Sequence, residues 1–137
     1  MSDVEKDAAK GAIAWARYGR HASLQGEHGF AIFALERAID GGADGAAVWL
    51  ALGIARAHER QTEAAIEALE RAVGLDPKAI DGWCMLGELA VELQRYALAL
   101  EAFKRCHALD PGADTPHGAR AKALVRKTYK KLQAEAG

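Results

Sequence analysis

Residues 83–111 read WCMLGELAVELQRYALALEAFKRCHALDP. Moving back 34 residues from Trp83 gives Trp49, and 34 more gives Trp15; these are the three tryptophans of the chain. Four residues after each stands a glycine (Gly19, Gly53, Gly87), and sixteen after each an alanine (Ala31, Ala65, Ala99). Twenty after each stands a large apolar residue (Leu35, Leu69, Phe103), and twenty-three after each a small one (Ala38, Ala72, Cys106). A register held through three copies without a gap is an internal repeat. Such units cannot bury an apolar face alone, so stacking supplies the core.

Around this register the chain reads as helices separated by short turns. Ser2 and Glu5 have the spacing of a capping box, and apolar residues then recur at helical spacing, which predicts a long first helix from Asp3 to Leu24. Gln25-Gly26-Glu27 is a turn, and a second helix over 28–40 ends on Gly41-Gly42, where glycine can take the left-handed cap conformation. Helices are predicted over 46–58, 62–75, 80–92 and 96–109, with stops at Asp76-Pro77 and Asp110-Pro111 because proline cannot continue a helix. A last helix is predicted over 117–135. Within each pair the glycine lets the two backbones draw together, and the alanine of the second helix leaves room opposite.

The pattern of tryptophan, Leu-Gly, alanine, large apolar residue, alanine and late proline resembles the tetratricopeptide repeat. Trp49, Leu52, Gly53, Ala65, Leu69, Ala72 and Pro77 match it well, as do Trp83, Leu86, Gly87, Ala99, Phe103 and Pro111, with Cys106 replacing an alanine. The first copy departs from it: Tyr18 stands for leucine, and Ile39-Asp40-Gly41-Gly42 for the Leu-Asp-Pro ending. The resemblance implies an all-α right-handed superhelix of three antiparallel helix-turn-helix repeats with a C-terminal solvating helix. It divides a single domain into an N-terminal extension (1–11), repeats at 12–45, 46–79 and 80–113, and a capping segment at 114–137. It also implies a protein-interaction module, an adaptor or a chaperone, and no enzyme. The layout is similar as well to the class II chaperones of bacterial type III secretion.

Bulk properties narrow the classes further. A net charge of −1 sets up no field steering the whole chain to nucleic acid or membranes. The N-terminus, Ser2-Asp3-Val4-Glu5-Lys6-Asp7, is polar and not a secretory signal, so a cytoplasmic protein is expected. Cys84 and Cys106 lack a CxxC spacing and are expected to be two reduced thiols. The last helix carries six cations against Glu135 alone, a net +5 that leaves −6 for residues 1–116. It is expected to cap the stack; a contact with nucleic acid or an anionic membrane is the sharper alternative. No P-loop, GxSxG or HExxH occurs, no two of the five histidines share a helix face at metal-ligand spacing, and no cofactor or metal is expected.

The resemblance places the first helix of each pair on a concave groove that would hold a peptide or helix of a protein partner. The first repeat contributes Ile13, Ala16, Arg17, Arg20, Ser23 and Leu24. The second contributes Ala47, Leu50, Ala51, Ile54, Ala57 and His58, and the third Asp81, Cys84, Met85, Glu88, Val91 and Glu92. Such a groove would be basic at one end, apolar over Leu50, Ile54, Cys84 and Met85, and acidic at the other. The family's grip on the C-terminal carboxylate of heat-shock proteins uses positions held here by Ala16, Arg20, Ala51, Asp81 and Met85. One of these is basic and one acidic, so that role is not expected. Phe30 and Phe33 stand where later copies hold Ala64 and Glu67, then Leu98 and Glu101. They are expected to be covered, by residues 3–12 or by a second subunit in a homodimer.

Overall fold

A computed structural model describes residues 2–137. Seven helices run α1 (Asp3–Leu24), α2 (His28–Asp40), α3 (Ala46–His58), α4 (Thr62–Leu75), α5 (Ile80–Glu92), α6 (Tyr96–Leu109) and α7 (Pro116–Ala136), with no strand among the described residues. The residues up to Leu75 form one compact unit and those from Asp76 on a second.

In the first unit α1 pairs with α2 and α3 with α4, and α2 packs on α3. Ala22, Ala31, Leu35, Ala38, Val48, Leu52, Ala55 and Ala68 form the core, with Trp15 and Trp49 packed against it. The long α1 starts as its sequence predicts. The Ser2 hydroxyl accepts from Glu5 N–H at 3.2 Å, and the Glu5 carboxylate accepts from Ser2 N–H at 3.2 Å. The glycine of each pair meets the residue sixteen further along rather than the facing alanine. A Cβ on Gly19 would lie 2.6 Å from Leu35 Cγ, and one on Gly53 would lie 2.7 Å from Leu69 Cγ. Both leucines are fully buried, so the missing Cβ is the space their branches occupy.

In the second unit α5 pairs with α6, and α7 lies on α6 and touches α5. Here Phe103 replaces the leucine, its ring 2.5 Å from where a Gly87 Cβ would stand. Trp83 Nε1 donates to the Pro77 carbonyl at 2.8 Å, fixing the entry to α5. The Asp110 carboxylate organises the α6–α7 connection. It accepts from the Thr115 hydroxyl at 2.7 Å, Thr115 N–H at 2.8 Å and Asp114 N–H at 3.1 Å. Thr115 then caps α7 by accepting from Gly118 N–H at 3.1 Å. Pro116 opens that helix, one residue before the predicted start, because the first turn needs no proline N–H.

The turn within each pair bends through one left-handed residue: Gly26 (φ 79°), Arg60 (φ 61°) and Gln94 (φ 58°). These three are 34 residues apart, so the repeat fixes the conformation even where the sequence offers no glycine. At the end of α2 it is Gly42 (φ 99°) that is left-handed, while Gly41 (φ −88°) is not.

The cysteines are not two free thiols. Cys84 and Cys106 form a disulfide between α5 and α6, with Cα atoms 5.6 Å apart. That separation is within the span such a bond needs. Hairpin pairing sets the residue one after the tryptophan against the residue twenty-three after it. A spacing rule built on adjacent cysteines does not register that pair.

Candidate functional site

The groove positions fall on the two units separately. In the first, α1 touches α3, and Arg17, Arg20 and Leu24 of α1 are the repeat equivalents of Ala51, Ile54 and His58 of α3, 34 residues on. Ala16 and Ala51 pack half-buried against the core. Leu50 and Ile54 are half-buried, while Arg17, Arg20 and Leu24 stand in solvent, Leu24 at 86% exposure. Among the described residues no carboxylate pairs with Arg17 or Arg20. This face is therefore an apolar strip edged by two uncompensated cations.

His58 is not an isolated histidine. Its ring stacks on that of His28 at the start of α2, centroids 4.1 Å apart and planes within 3°. The sequence hides this pairing, because thirty residues separate the two, one opening α2 and the other closing α3. His28 Nδ1 is buried with no hydrogen-bond partner.

In the second unit the acidic positions are engaged by α7. His117 Nε2 lies 2.9 Å from Asp81 Oδ1, and Arg120 Nε lies 3.1 Å from Glu88 Oε1. Cys84 leaves the expected apolar floor altogether. It is buried at 5% exposure in a cluster with Cys106 and Ala121, and the His117 carbonyl lies 3.7 Å from each sulfur. Met85 remains half-buried and Glu92 exposed.

The expectation that residues 3–12 cover the phenylalanines fails: Phe30 and Phe33 are 47% and 50% exposed. Phe33 packs edge-on against Trp15 at 5.5 Å, Trp15 against Tyr18 at 6.1 Å, and Phe30 lies 6.4 Å from Phe33. Arg37 lies over the rings of both Trp15 and Phe33, each at 5.6 Å. Arg71 over Trp49 at 5.3 Å and Arg105 over Trp83 at 5.5 Å repeat that stack. Arginine twenty-two residues after every tryptophan was the available signal. The stack covers an indole face that the hairpin alone leaves open.

Among the described residues no cluster of three or more histidine, cysteine or acidic side chains could hold a metal ion. No described helix is long and apolar enough to cross a membrane.

Two family models, each described as a tetratricopeptide repeat, match residues 46–89 and 80–113. No curated protein matches the sequence. Among solved structures, the TPR domain of Arabidopsis OM64 is similar at TM-score 0.76 and 18% identity, over 88% of this chain and 98% of that one. The first TPR of Spaghetti (RPAP3), bound to the HSP90 peptide SRMEEVD, is similar at TM-score 0.76 and 18% identity, over 91% and 95%. The Yersinia enterocolitica type III secretion translocator chaperone SycD is similar at TM-score 0.75 and 15% identity, over 88% and 84%.

Proposed function

Because the chain belongs to the tetratricopeptide-repeat family, we propose that it is a non-catalytic protein-interaction module whose α1–α3 face holds a peptide or helix of a partner protein. The observation that carries this reading is the pairing of half-exposed Leu50 and Ile54 with Arg17 and Arg20, which have no carboxylate of their own. Apolar contact would supply most of the affinity, since burying such a side chain is worth about 1.5–3 kcal/mol. The arginines would set direction, because exposed ion pairs contribute only about 0–1 kcal/mol each. The ligand segment is thus apolar where it meets Leu50 and Ile54 and acidic toward Arg17 and Arg20.

The HSP90 peptide of the Spaghetti structure is not the proposed ligand. Of the positions that the family uses to grip a terminal carboxylate, those in the first unit hold Ala16, Arg20 and Ala51 here, so Arg20 is the one cation among them. The likeness to SycD is one of fold. A chaperone for a secreted translocator is the narrower role that would fit the same face, with an extended apolar segment as ligand.

The test uses a partner captured from the source cell. Ile54→Glu should abolish its binding and leave helical circular dichroism intact, because the position is half-exposed. Arg20→Glu should weaken binding modestly, and more at low salt. Neutralising Lys127, Lys130 and Lys131 together should change nothing, and added salt should cost little affinity. Loss of binding in the lysine variant with retention in Ile54→Glu, or a steep fall with salt, would make α7 a phosphate-binding surface and end this reading.

A further inference from the structure

The first helix outruns its partner. The end of α2 stands beside Ala12, since a Cβ added at Gly41 would lie 2.7 Å from Ala12 Cβ. Residues 3–10 continue past that point as regular helix, exposed throughout except for half-buried Ala9. Two helical turns without tertiary support are marginal in water.

One side of α1 also lacks the cover its counterpart has. Leu52 occupies on α3 the repeat position of Tyr18 on α1. It is 1% exposed within the core, where Ile39 of α2 packs, whereas Tyr18 is 58% exposed. Val4, Gly11 and Tyr18 are spaced by seven, so they share this open side. Gly11 stands midway between the other two. A Cβ there would meet nothing within 4 Å, so no contact inside the chain requires a glycine, although glycine weakens a helix interior. Lack of a Cβ serves a close approach by another backbone.

We infer that this side of α1 is a dimer interface, crossed antiparallel at Gly11 by α1 of a second copy. A two-fold axis at Gly11 sets Tyr18 against Val4 of the second copy and Trp15 against its Asp7. Arg37, over Trp15 at 5.6 Å, then meets that carboxylate. The projecting turns of each copy cover the Trp15–Phe33–Phe30 cluster of the other. The interface is isologous: each acidic helix start lies on the other copy's aromatic and basic patch, which favours a second copy over an unrelated helix.

Light scattering of the full chain across a concentration series reads the state directly. The wild type should approach twice the 14.6 kDa chain mass. Gly11→Leu should keep its helical signal, because the site is open within the chain, and should raise the dimer dissociation constant by ~10-fold or more. Combining Val4→Cys with Tyr18→Cys should give an intermolecular disulfide, while Val4→Cys alone should not, because the two Val4 residues lie far apart across the axis. A monomeric wild type, an equally dimeric Gly11→Leu, or cross-linking of Val4→Cys alone would overturn the inference.

Discussion

Asp81 of α5 faces His117 of α7, oxygen to nitrogen, across 2.9 Å. Two turns further along α5 Glu88 meets Arg120, one turn further along α7, at 3.1 Å, so the last helix sets a histidine and an arginine against acidic positions of its own unit. Both pairs are largely exposed and therefore screened. Arg120→Ala should lower the stability measured by urea unfolding by no more than about 1 kcal/mol. A loss of several kcal/mol would show that α7 is held chiefly by these charges rather than by Ala121, Leu124 and Val125.

Gly53→Leu should lower the melting temperature sharply. Its Cβ would stand 2.7 Å from Leu69 Cγ, and Leu69 has nowhere to go because it is fully buried. Overpacking of this kind costs about 1–3 kcal/mol or more. A variant that melts with the wild type would mean that α3 and α4 do not approach at this glycine.

Gln94→Gly should stabilise the chain. Gln94 holds a left-handed φ of 58°, a conformation costing an ordinary residue about 1–2 kcal/mol. Part of the gain is offset by the freer unfolded chain. Thermal melts of Gln94→Gly and Arg60→Gly should both move upward; a fall in both would exclude the left-handed turn.

Acid should loosen the α6–α7 connection through Asp110. The Thr115 hydroxyl, with the Thr115 and Asp114 N–H groups, holds the Asp110 carboxyl below its ordinary value of 3.8. A depressed folded pKa adds stability that is complete above the unfolded value and is lost as pH falls through the folded one. Thr115→Ala should shrink this acid-sensitive component, so its unfolding curve should depend less on pH below about 4 than that of the wild type. Identical pH dependence in the two would remove Asp110 from the account.

The sequence by itself determined the repeat and almost every helix boundary. Helical spacing, glycine at the crossing and proline at the stops are local or strictly periodic signals. They state which residues must be buried without reference to any distant group. Periodicity also put Arg17, Arg20, Leu50 and Ile54 on the first helices of their pairs; that those helices line a groove was what the family resemblance implied. What tertiary structure alone decided were meetings between non-equivalent positions. Cys84 bonds Cys106 across a hairpin, His28 at the start of α2 stacks on His58 at the end of α3, and α7 turns His117 and Arg120 onto Asp81 and Glu88. Phe30 and Phe33 stay uncovered within the chain because residues 3–10 of α1 continue past the end of α2 as helix instead of folding back over them. A repeat fixes contacts that recur in every copy, such as the glycine against the residue sixteen later. Where a side chain meets a residue of another register, its partner depends on packing angles and helix lengths, which only the folded chain sets.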